Sequence, residues 1–272
     1  MRPSIMLPRS LGTLLVTSLA IACGSASDDD GDSQSGAATS SALRSVDITV
    51  SAKKTGETYE GRAYPIDDVD GDGRNELYKA PVYFVYFVYI DGTDATGAKV
   101  HKEYRAPRFM PYNSPVGARH DNDYKTTGFV TAGLSSVPRF AVNTYKSDYE
   151  VHNRFSPFGG AIVVKGSFYI HAGPETIEDF GWGSAGCVEV IGNFDDFKRD
   201  ILTFAGSSAA SGDSAALHAG VASLVSARKL FVTYENAARP NLQSLLSRQM
   251  SNAEAPAAPA SDLPADPTDP AE

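Results

Sequence analysis

Cys187 lies in the run Gly183-Ser184-Ala185-Gly186-Cys187-Val188-Glu189-Val190, and His171 stands sixteen positions upstream in Phe168-Tyr169-Ile170-His171-Ala172-Gly173. A thiolate is the attacking form of cysteine, and an imidazole beside it can take the proton. A cysteine presented by a turn of small residues, with a histidine at the end of an apolar run, is therefore a layout for nucleophilic chemistry on a carbonyl. Gly186 permits close backbone approach, and N–H groups around Cys187 can hold a developing oxyanion. If the two runs lie side by side, residues 174–182, ending in Trp182, form a surface loop and a wall for a substrate. The alternative is a buried cysteine acting as a small apolar side chain.

The Asp-rich run Asp68-Val69-Asp70-Gly71-Asp72-Gly73-Arg74-Asn75-Glu76 is the second stretch with chemistry in it. Carboxylates at alternate positions followed by glycine let a chain wrap around a hard cation. Asp68, Asp70, Asp72 and Glu76 would supply side-chain oxygens and Arg74 its carbonyl. The acid falls at the ninth position and Lys79 stands at the twelfth, so the run is closer to calcium loops between strands than to a helix–loop–helix site. An acidic Asp-Gly hairpin without metal is the other reading. A calcium here would be structural, and the chemistry at Cys187 needs no cofactor. His101, His120, His152 and His218 lack metal-ligand spacing and read as surface or packing residues.

The elements that must position these residues read mostly as strands. Residues 46–50 alternate apolar and polar, and residues 81–90 (P-V-Y-F-V-Y-F-V-Y-I) are aromatic or β-branched on both faces, as in a central strand covered on both sides. Shorter strands are expected at 128–131, 140–142, 161–164, 168–171 and 188–191, with 229–233 closing the sheet. Asn193 is placed to cap a helix over 194–204, in which Phe194, Phe197 and Ile201 share a face. A second helix over 215–227 groups Leu217, Val221, Leu224 and Val225. The expected fold is mainly β, a curved mixed sheet or sandwich with a few flanking helices.

Arg2 and Arg9, the apolar stretch 11–22 and then Cys23-Gly24-Ser25 describe a secretory signal over 1–22, too short to span a bilayer. The run Ala20-Ile21-Ala22-Cys23 resembles a bacterial lipobox, which implies acylation of Cys23 and an exported protein anchored to a membrane by lipid. Residues 23–44 read as a disordered tether, 45–105 as an N-terminal β region and 106–235 as the region carrying the thiol. Residues 236–272 read as a short helix and a disordered acidic Pro/Ala tail. The whole chain carries 24 basic and 33 acidic residues, a net charge of −9, and loss of 1–22 would take two arginines and no acid. With no basic stripe, nucleic acid is not an expected partner. With Cys23 acylated, Cys187 has no cysteine left to pair with.

The order His, a gap of this size, then S-x-G-C and an apolar residue resembles the catalytic domain of the L,D-transpeptidases, the YkuD-like family. The likeness is strongest over 158–204 and includes Gly159-Gly160-Ala161-Ile162. It implies a mainly β envelope enzyme acting on peptidoglycan stem peptides. The cysteine would take an acyl group from a tetrapeptide stem, release D-alanine, and pass the acyl group to an amine. Carried over, Cys187 is the nucleophile, His171 the base, and the Ala172 carbonyl orients the imidazole. Ser184 with Gly186 shapes the oxyanion turn, and Ser184, Ala185, Glu189 and Trp182 are the expected substrate-binding residues. Where the family carries arginine two residues after the cysteine, this chain has Glu189. Where the family often has histidine before the glycine, it has Ala185. An anion in place of a cation weakens capture of a substrate carboxylate. Transfer to water instead of an amine would make a carboxypeptidase, and a calcium-stabilised, non-catalytic protein binding wall peptides or a protein partner is the alternative from another class.

Overall fold

A computed structural model of the protein describes residues 42–61, 79–109, 133–150, 156–166, 168–179, 184, 186–240 and 247–249. Cys23, the Asp68–Glu76 run, the strand expected at 128–131, Trp182, Ala185, His120 and His152 lie outside the described residues. Among the described residues the chain is mainly β, with two mixed sheets and two α-helices.

The first sheet holds β1 (Val46–Glu60), β2 (Lys79–Thr93), β3 (Lys99–Pro107), β4 (Val137–Ala141), β9 (Leu230–Tyr234) and β10 (Ser247–Gln249). Its order is β10-β2-β1-β9-β4, with β3 paired to β2, and β1 runs parallel to β9. β9 is thus interior, between β1 and β4, and does not close the sheet at an edge. The second sheet is β5 (Tyr145–Lys146), β6 (Ala161–Lys165), β7 (Phe168–Ala172) and β8 (Val188–Val190), in that order, with β7 and β8 parallel. An isolated bridge, Arg105 to Ile191, ties the end of β3 to the residue after β8.

The β2 sequence is as aromatic as a doubly covered strand, and each face is covered over part of its length. Tyr83 and Val85 are buried on one face and Tyr86, Val88 and Ile90 on the other, whereas Phe87 and Tyr89 on the first face and Phe84 on the second remain partly exposed. Lysine stems and ring stacking shield these partly exposed rings: Lys54 Nζ lies 3.6 Å from the centre of the Phe84 ring, and Phe87 stacks on Tyr89. Aromatic residues satisfy such a half-covered face because the ring can bury one side and leave the other wet. In the 236–272 span, where a short helix was expected, Ser247–Gln249 is strand. It pairs with Lys79–Pro81 at the start of β2.

Helix α1 (Phe194–Ala205) begins at Asn193, whose side chain accepts from the N–H groups of Asp195 and Asp196 at 2.8 and 3.2 Å. It buries Phe194, Phe197, Ile201 and Leu202 along one stripe. Helix α2 (Ser214–Ser226) is capped by Asp213 and buries Leu217, Val221, Leu224 and Val225. Both stripes join side chains of β1, β2, β6, β7, β8 and β9 in one core. That core fixes the inward faces of β7 and β8, and so decides which residues face the other way.

Candidate active site

The β7–β8 ladder pairs Ile170 with Val188, His171 with Glu189, and Ala172 with Val190. Ile170, Ala172, Val188 and Val190 face the core. Side chains alternate along a strand, so Tyr169, His171 and Glu189 share the opposite face, with Cys187 leading into β8 at the same parity. The parallel pairing therefore places His171 on one strand and Cys187 at the residue that enters its neighbour.

His171 is 2 % exposed, and its Nδ1 lies 2.7 Å from the carbonyl oxygen of Ala172. A carbonyl can only accept, so Nδ1 carries the hydrogen and Nε2 is the basic nitrogen of the neutral ring. The turn before Cys187 is locked by Ser184, whose hydroxyl donates to the Cys187 carbonyl at 2.6 Å and accepts from the Gly186 N–H at 3.0 Å. Gly186 has φ 111°, a conformation that a residue with a Cβ adopts only under strain. Gly173 packs onto Glu189: a Cβ there would meet the Glu189 backbone and Cβ at 3.0 Å.

The electrostatics favour a neutral thiol. Burial pushes the Cys187 thiol up to about 12, and the Glu189 carboxylate adds to the rise, while a hydrogen bond from the Tyr169 backbone N–H works in the other direction. Cys187 keeps part of its surface exposed, and with its pKa raised the thiolate is the minor form at neutral pH, so attack requires a base to take the proton as the carbon–sulfur bond forms. Glu189 is 1 % exposed.

Sequence reasoning missed Tyr149, whose ring centre stands 5.5 Å from that of His171 and 5.0 Å from that of Tyr169. No periodic pattern marks it, because it comes from the connection between β5 and β6 and meets His171 only through the tertiary fold. His218, read as a surface or packing residue, belongs to a part-buried polar network with Lys198 and Tyr145. His101 sits on β3, half-exposed, 2.8 Å from Asp91. Among the described residues no three His, Cys, Asp or Glu side chains are grouped to hold a metal, and no helix is long and apolar enough to cross a membrane. No family model, no curated protein and no solved structure matches this chain.

Proposed function

We propose that the protein is an exported, lipid-anchored acyl-transfer enzyme of the L,D-transpeptidase type, acting on peptidoglycan stem peptides through a thioester at Cys187. The observation that supports this reading most is the parallel β7–β8 pairing, which puts His171 and Cys187 on one face with the imidazole held through Nδ1. In the proposed reaction Cys187 Sγ bonds to the carbonyl carbon as its proton passes to His171 Nε2. The tetrahedral intermediate then collapses, the carbon–nitrogen bond breaks, and the departing amine of D-alanine takes the proton from the imidazolium. An acceptor amine, or water, repeats the sequence in reverse and frees the thiol. Ser184 and Gly186 shape the turn whose backbone faces the oxyanion.

Incubating the protein with a tetrapeptide muropeptide and weighing it intact tests the reading. An adduct of the acyl-donor mass, with D-alanine released by the parent and not by Cys187→Ala, is expected. A folded protein giving neither sinks it.

The raised pKa of the thiol and the buried Glu189 beside it favour a second reading, a non-catalytic protein that binds wall peptides on the same face. Equal binding of wall fragments by parent and Cys187→Ala, without turnover, is its signature.

A further inference from the structure

A buried ammonium lies behind the His171 face. Lys198 of α1 is 0 % exposed, and its Nζ stands 2.7 Å from Asp195 Oδ1, 3.1 Å from the Gly159 carbonyl and 3.2 Å from His218 Nε2. An ammonium only donates, so Nε2 of His218 accepts and the ring is neutral; its Nδ1–H then donates to Tyr145 Oη at 2.6 Å. The backbone at Gly160 is pressed against this pair. Its φ is +93°, and a Cβ there would overlap Tyr145 Oη and lie 2.8 Å from His218 Cε1.

Gly160 carries the effect onward in two ways. Its N–H donates to the Tyr149 carbonyl at 2.8 Å, and the next residue, Ala161, is the β6 partner of His171. Ser147 and Glu150 line a cavity of about 380 Å³ together with Ser156, Phe158, Ser214 and His218. The Gly160–Tyr149 hydrogen bond thus ties the network to the residue whose ring stands against His171.

We infer that Tyr149 is a positioning residue for His171, and that the Lys198–His218–Tyr145 network holds it in place through Gly160. The inference rests on the proposed role of His171 as base to Cys187. The aromatic ring limits the rotation of the imidazole about its Nδ1 anchor and favours the imidazolium formed when the thiol gives up its proton.

The test is the pH profile of iodoacetamide alkylation, read at the Cys187 peptide by mass spectrometry on the full chain. Tyr149→Ala is expected to slow alkylation near neutral pH by about threefold to tenfold and to change the profile, while Tyr149→Phe stays within about twofold of the parent. Tyr145→Phe, which deletes only the network oxygen, is expected to slow it in the same direction. Combining it with Tyr149→Ala is expected to add nothing further, as for two residues acting through one contact. Tyr149→Ala at the parent rate in a protein with an unchanged melting curve overturns the inference, and so do multiplicative effects in the double variant. His171→Ala separates the two levels. If it leaves alkylation unchanged, the acyl-transfer reading and this inference fall together. If it slows alkylation and Tyr149→Ala does not, only this inference falls.

Discussion

Gly186 and Ser184 show how much of the candidate site is decided by single residues. The turn must place Cys187 at the mouth of β8 while its own N–H and C=O groups find partners, and one serine oxygen serves both a donor and an acceptor. This leaves Gly186 little conformational choice. Gly186→Ala is expected to lose about 1–3 kcal/mol, from the strain of a side chain at positive φ. Denaturant unfolding of the variant measures it, and a loss below about 0.5 kcal/mol would mean the turn can relax into another conformation. Cys187 and His171 were visible in the sequence as candidates, because a small-residue turn before a cysteine and a histidine ending an apolar run are local patterns. Tyr149 was not, because its proximity to His171 depends on the path of a connection rather than on any local pattern. Glu189 was visible as a departure, but its burial beside the thiol was not, since charged residues are seldom expected 1 % exposed.

At the scale of elements, both helices and most strands followed from local rules. Asn193 capped α1, and the apolar stripe beneath it was readable at helical spacing. β3 escaped because Lys99-Val100-His101-Lys102-Glu103-Tyr104-Arg105 is polar on both faces. It is strand through pairing with β2 along its whole length, a tertiary override of composition. The residue just beyond it, Arg108, is 0 % exposed, and its guanidinium donates to carbonyl oxygens of Ser51, Leu134 and Glu235 at 2.7, 3.0 and 3.1 Å. One side chain thus joins β1, the approach to β4 and the end of β9 without a carboxylate partner among these contacts. Burial lowers its pKa, yet the carbonyl dipoles and the faces of Tyr86, Phe109 and Tyr234 around it favour the cation. A lysine cannot reproduce a planar fork reaching three segments at once. Arg108→Lys is therefore expected to cost about 2–4 kcal/mol, and Arg108→Ala about 3–5 kcal/mol. If equilibrium unfolding finds the lysine variant as stable as the parent, the fork geometry is not what matters and charge alone suffices.

Across the whole molecule, the helical layer and the second sheet are joined through a site that can be titrated. His218 faces Lys198 and Asp195 from α1, Tyr145 from β5 and Glu150 across the cavity. Burial, and then the Lys198 ammonium, lower its pKa below the usual 6.5, with Asp195 opposing. Between the folded and the unfolded pKa the unfolded chain binds more protons, so this group contributes stability that is present above about pH 6.5 and is lost as the pH falls toward the folded value. His101 carries the opposite sign: the Asp91 hydrogen bond raises its pKa, so its contribution is full below about pH 6.5 and is lost as the pH rises through the folded value. Being half-exposed, that pair is screened by salt, and the part-buried His218 network is screened less. Glu235, held down by the Ala52 N–H and the Ser51 hydroxyl, loses its contribution only as the pH falls through the carboxylate range. Urea unfolding in high salt should therefore show the parent losing stability from about pH 7.5 to about pH 5, with His218→Gln losing less over the same interval and both falling together below about pH 4.5. Equal losses in parent and variant above that point would mean His218 is not held neutral by Lys198, and that the bridge between the helices and the His171 sheet survives its protonation.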